Sequence, residues 1–132
     1  MYKLTVTYKN FDGDDVTEDV RLHVTNVQLL RLESKYGNGL KAEIEDIVKT
    51  NDRSRMLAFL EDLVQSSYGV RKGDLFVQDE ETKKHFLYTN LYPETLMALL
   101  SSETSIAAFF NTIPGLENVD FLNGGTSVMQ LA

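Results

Sequence analysis

The chain has 132 residues, a formal net charge of −7 and no cysteine, a length that fits one domain able to bury roughly two thirds of its unfolded surface. Its 42% hydrophobic and 25% charged residues set aside the disordered, collagen-like and membrane classes. The acidity argues against nucleic acid as a partner, because phosphate binders draw their affinity from clustered Lys and Arg, and without thiols there are no disulfides, thiolate nucleophiles or sulfur-ligated zinc.

Along the chain, Tyr2, Leu4, Val6 and Tyr8 alternate with Lys3, Thr5, Thr7 and Lys9, the period-two mark of a strand with one buried face. Val16, Val20, Leu22 and Val24 form a second such face, interrupted by Glu18, with Thr17, Asp19, Arg21 and His23 on the other side. "NFDGDD" between them holds Asp12-Gly13, turn chemistry with a residue free to take positive φ. The two segments predict an N-terminal β-hairpin. A hairpin alone is marginal in water, so its apolar face must lie on helices.

Thr25 with Gln28 then reads as a capping box, and Val24 with Leu29 as its hydrophobic staple. This first helix is expected to close at Tyr36-Gly37, with Gly37 left-handed. A second, from about Gly39 to Lys49, carries Leu40, Ile44, Ile47 and Val48 on one stripe. After "TND", with three possible caps, a third holds Met56, Leu57, Phe59, Leu60, Leu63, Val64 and Tyr68, an arc wide enough for a central helix packed on two sides. Gly69 is expected to stop it, Arg71-Lys72-Gly73 to turn, and Leu75 to Val77 to form one short additional strand. Acidic residues restart a helix near Asp79, where the helix dipole favours negative charge. "YTNLYPETLMALL" begins another, with Thr89 or Asn90 as cap, Pro93 in the first turn, and Tyr92, Leu96, Leu99 and Leu100 as its seam. A final helix carries Ile106, Ala107, Phe109, Phe110 and Ile113 and ends at Pro114-Gly115.

The fold class expected is mainly α with an N-terminal β-hairpin, an α+β single domain over residues 1–115. The hairpin occupies 1–25 and a small helical bundle 26–114. Residues 116–132, aperiodic and carrying Gly-Gly, read as a flexible tail. No apolar run reaches the length of a signal peptide or membrane span, so the expected setting is the cytoplasm.

Chemistry-bearing patterns are sparse. "DGDD" begins like a calcium loop, but the sixth and twelfth positions, which need Gly and Glu, hold Thr17 and His23; it reads as a hairpin turn. His23 and His85 have no second ligand at metal spacing. "YGNG" and "NGG" lack the strand, helix and lysine of a phosphate loop, and no serine sits in a G-x-S-x-G elbow. Catalytic residues, metal ligands and cofactors are therefore all expected to be none, and the protein is not expected to be an enzyme. What exceeds the bland reading is an apolar surplus on the helices. It fits either several helices wrapped on one core or a groove of adaptable Met and aromatic anchors for a partner helix. On the second reading the partner-binding residues are Met56, Tyr92, Met97, Phe110 and Ile113.

"TVTYKNFDGDDVTEDVRLHVT", "LLRLESKYGNGLKAEIEDIV", "LVQSSYGVRKGDLFVQ", "HFLYTNLYPETLMALL" and "IAAFFNTIPG", in that order from about Tyr2 to Pro114, together resemble the tail assembly chaperones of long-tailed bacteriophages. The chain departs from that family's pattern in Pro93 directly after Tyr92 and in the length of its tail after Pro114. The resemblance implies a mainly helical virion-assembly factor that coats the tape-measure protein, keeps it soluble and promotes tail-tube polymerisation. It implies self-association into an oligomer, action in the host bacterial cytoplasm, and absence from the finished virion. This chain would be the short product of a gene whose frameshifted longer form contacts the tail-tube protein. The alternative is a structural head-tail or tail completion protein with a permanent place in the particle.

Overall fold

The computed structural model describes residues 1–117. Strands β1 (Tyr2–Lys9) and β2 (Asp15–Leu22) are followed by helices α1 (Asn26–Lys35), α2 (Leu40–Thr50) and α3 (Arg53–Ser67). Strands β3 (Tyr68–Lys72) and β4 (Leu75–Val77) and helices α4 (Glu80–Leu87), α5 (Leu91–Leu100) and α6 (Glu103–Asn111) complete the order. The α+β class expected from the sequence is the one found, with a larger sheet: four antiparallel strands in the order β1-β2-β3-β4.

The hairpin forms as its alternation dictates. Tyr2 pairs with Leu22 and Lys9 with Asp15, so Val6, Tyr8, Val20 and Leu22 turn inward and are buried. The outward face is a polar ladder: the Thr5 hydroxyl donates to Asp19 at 2.9 Å, Thr7 meets Thr17 at 2.9 Å, and Lys9 Nζ lies 2.9 Å from Asp15. Cross-strand pairs of this kind each contribute roughly 0.2–1 kcal/mol. Glu18, which interrupts the apolar face of β2, accepts from the Tyr8 hydroxyl at 2.5 Å. At the turn the Asn10 side chain accepts from the N–H groups of Asp12 and Asp14, and Gly13 takes φ +86°. "DGDD" is a hairpin turn.

The Thr25–Gln28 capping box is present in both directions. Gly37 does not take the left-handed conformation expected of it. Tyr36 ends α1 in extended geometry, and Gly39, the N-cap of α2, carries the positive φ of +92°. The reason is close approach: Glu33 Oε2 accepts from Leu40 N–H at 3.0 Å, and a Cβ on Gly39 would stand 2.6 Å from that oxygen.

The larger correction concerns Gly69, which does not stop α3 but lies inside β3. Tyr68, the last residue of the expected helix, is its C-cap and the first residue of the strand. Arg21 pairs with Gly69 and Leu22 with Tyr68, so β3 lies against the hairpin; β4 joins beyond it, with Val70 opposite Val77 and Lys72 opposite Leu75. The strand expected at Leu75–Val77 is therefore the outer half of a second hairpin, and β3 is the piece that docks it. Gln78 locks the junction. Its Oε1 accepts from Gln28 Nε2 at 3.0 Å, and its own Nε2 donates to Ser67 O at 3.2 Å, with His23 O and Ser66 O at 3.4 and 3.5 Å.

One core joins sheet and helices. Met56, Phe59, Leu60, Leu63 and Val64 of α3 are buried, as expected of a central helix. Tyr68 stacks on Phe86 of α4 at 3.8 Å between centroids and 4° between planes, and Phe86 meets Tyr92 of α5 edge-on at 5.2 Å. This aromatic column ties the sheet to the second helical group. Asn90 caps α5 by position but spends its side chain on β1, donating to Lys9 O at 2.8 Å. Among the described residues, no buried side-chain nitrogen or oxygen lacks a partner. Leu116, the first residue of the expected tail, is buried, and its N–H donates to Ile113 O at 3.0 Å. The rest of that tail, 118–132, lies outside the described residues.

Candidate partner-binding surface

Helical periodicity identifies a stripe but not what covers it, and the five residues singled out as partner contacts are divided by the fold. Met56, Phe110 and Ile113 are sealed in the core, at 1%, 1% and 0% exposure, because α3, α6 and the turn that follows α6 pack their apolar side chains inward. In the folded chain they are not available to a partner. Tyr92 is half-buried against Phe86, and its hydroxyl donates to Glu61 at 2.7 Å while accepting from Gln65 Nε2 at 2.8 Å. Met97 alone of the five is open to solvent, at 54%.

The structure exposes other large apolar side chains that the sequence did not single out. Val27 and Leu30, at 59% and 67%, sit one turn apart on the solvent side of α1. Phe11 stands at the hairpin tip and Tyr88 at the end of α4. The usable signal for Val27 and Leu30 was their position off the stripe that Leu29 and Leu32 define, the stripe facing the core.

Beside Val27 and Leu30 runs a groove between α1, α3 and α4, made of two adjoining depressions of about 180 and 230 Å³ that share Asp62, Ser66 and Lys83. Gln28, Arg31 and Lys35 of α1 form one wall and Lys83 of α4 the other, with Phe86 and Leu87 at one end. Asp62 is already engaged by Lys35 Nζ at 2.7 Å and by the Tyr36 hydroxyl. Each depression is smaller than the roughly 300–1,000 Å³ of small-molecule sites. A third depression, of about 340 Å³, lies where β1 meets α5 and is lined by Tyr8, Lys9, Asp15, Asn90 and Glu94.

The titration behaviour is that of structural groups. The Glu18 carboxylate that accepts from Tyr8, aided by burial, pushes that phenol up to about 12. Burial pushes Tyr68 up to about 12. It does the same for Tyr92, with Glu61 adding to the effect. Tyr36 is raised further by burial and by Asp62. The Thr5 hydroxyl lowers Asp19, and the Thr82 hydroxyl and N–H lower the N-cap Asp79. His23 lies edge-on to Phe76 at 6.1 Å, while His85 is exposed on α4. Among the described residues no group of three or more His, Asp or Glu side chains could hold a metal ion, and no helix is long and apolar enough to cross a membrane.

A family model described as phage tail assembly chaperone matches residues 1–114, a span that runs through Pro93. No curated protein and no solved structure matches the chain.

Proposed function

Because the chain belongs to the phage tail assembly chaperone family, a family of chaperones and not of known enzymes, we propose that it binds the tape-measure protein of its phage and keeps it soluble until the tail tube polymerises around it. The family's role implies binding to phage tail proteins. The narrower choice of the tape-measure chain is what the resemblance implies, and physics supports it. That client is a long helical polypeptide with apolar stripes, and uncovered stripes aggregate. Covering such a length takes many copies, each making a modest contact, rather than one deep pocket. Val27 and Leu30 on α1, with Met97 on α5, offer shallow apolar contacts of that kind.

On this reading the protein self-associates along its client, works in the host bacterial cytoplasm and leaves before the virion is complete. A frameshifted longer form carries the contact to the tail-tube protein. The observation that carries the reading is the family match over residues 1–114, nearly all of the described chain. The test is co-expression with the tape-measure protein, measuring the fraction of client in the supernatant, together with mass spectrometry of purified virions. Client solubility that rises with this chain, and virions that lack it, are expected. A client equally soluble without it, or a stoichiometric copy in the virion, overturns the reading.

A further inference from the structure

We propose that the groove between α1, α3 and α4 is a docking rail for an acidic amphipathic segment of the client, with Arg31 and Lys83 receiving its carboxylates and Val27 and Leu30 receiving its apolar side chains. The inference rests on the reading that the client is the tape-measure protein, and it names the face and the chemistry of that contact.

The charge pattern is the starting observation. The groove is lined by three cations, Arg31, Lys35 and Lys83, and one carboxylate, Asp62, a local excess of two positive charges on a chain whose net charge is −7. Asp62 is spent on Lys35 and on the Tyr36 hydroxyl. Among the described residues the Arg31 and Lys83 side chains have no hydrogen-bonded or ionic partner, whereas the Arg55 guanidinium is held at 2.9 Å by both Glu43 and Asp46. Gln28, on the same wall, is tied up in the capping box and in its bond to Gln78. Two cations are thus left facing an open trough with no internal anion to satisfy them.

The shape selects the ligand. Each depression taken alone is below the size of a small-molecule site and suits a single side chain. Arg31 and Lys35 lie four residues apart on one face of α1, and Val27 and Leu30 run beside them on the next face. A helix laid along α1 would meet apolar contacts on one side and cations on the other. The complementary segment has Asp or Glu along the border of its apolar stripe, at the i, i+3 or i, i+4 spacing that keeps them on one face. Arg31 can grip a carboxylate with two parallel N–H donors, and Lys83 acts as a point charge. Partly exposed charges of this type set association rate and salt dependence more than depth of binding, which suits a contact that must later be given up.

The test uses the full chain and overlapping synthetic segments of the tape-measure protein, each about 20 residues long so that it can span one face of the domain as a helix, with binding followed by fluorescence anisotropy at low and physiological salt. Acidic amphipathic segments should bind, more weakly as salt rises. The Arg31→Glu/Lys83→Glu variant should lose about 10–100-fold in affinity, mostly through the association rate. Lys41→Glu/Lys49→Glu, which changes the net charge equally on exposed positions of α2, a helix that does not line the groove, should change affinity by less than about threefold, as expected for screened charges outside the contact. Arg31→Gln/Lys83→Gln removes charge without reversing it and should fall between; an unchanged unfolding midpoint certifies the fold of each variant. If the tightest segments are basic or neutral, or if the groove reversal binds as well as the control, the rail is refuted while the chaperone reading stands. If no segment binds and co-expressed client is not kept soluble, the chaperone reading fails and the rail with it.

Discussion

Replacing Gly69 by alanine sets two opposed terms against each other, and the structure decides which prevails. An added Cβ would lie 2.7 Å from Cε2 and Cζ of Phe76 and 2.8 Å from Cγ of Gln78, distances that force the ring or the strand to move. Overpacking of this sort costs about 1–3 kcal/mol. Against it, removing a glycine narrows the unfolded ensemble and returns about 0.4–1 kcal/mol. Gln78 cannot yield freely, because shifting it loosens bonds to Ser67 O and Gln28 Nε2. The expected net loss is about 1–2 kcal/mol, a fall in Tm of roughly 4–10 °C for a domain of this size. Urea unfolding of a double-mutant cycle isolates the cause. Leucine at position 76 lacks the two clashing ring atoms, so Gly69→Ala should cost less in the Phe76→Leu background than in the parent, the remainder coming from the 2.8 Å approach to Cγ of Gln78 that this change leaves in place. An equal cost in both backgrounds would mean that close approach to the ring is not why glycine stands there.

Two further outcomes follow from the core and its phenols. Met56→Ala should cost about 2–5 kcal/mol in chemical unfolding, as a fully buried methionine requires, while Met97→Ala should stay within about 0.5 kcal/mol as a solvent-facing change; a small loss at Met56 would put that side chain outside the core. Tyr8, Tyr68 and Tyr92 are raised from 10.0 to about 12 in the fold, so the stability they contribute is fully present below pH 10 and drains away as pH climbs towards 12, because the unfolded chain releases those protons first. Phenolate absorbance and circular dichroism should therefore change together over that window for these three groups, and early ionisation of all six tyrosines with the fold intact would contradict their placement.

How much was legible depended on the range of the interaction. The Thr25–Gln28 box and the alternation of Tyr2 to Tyr8 are written within a few residues, and both formed as read. β3 was missed because it makes only two residue pairs with β2 and carries a glycine and two cations, a composition that locally reads as a turn. Gly69 looked like a helix stop because its true neighbour, Phe76, arrives only when the second hairpin closes. Gly37 and Gly39 were equally plausible until Glu33 folded back on one of them. The same limit governs the surface. Met56, Phe110 and Ile113 read as partner contacts because no single helix reveals how many neighbours will cover its apolar side chains. Arg31 and Lys83 were not singled out because they are far apart in the chain and meet only across the groove that the fold makes.

At the junction of α3 and β3 the last helical residue, Ser67, is bonded directly to the first strand residue, Tyr68, with no slack between. One residue inserted there would invert the alternation of the strand and swing Tyr68 away from Phe86, whereas the loops on either side of α2 could absorb such an insertion. The joint therefore counts residues, and homologous chains should vary in length in the loops flanking α2 before they vary between positions 67 and 68.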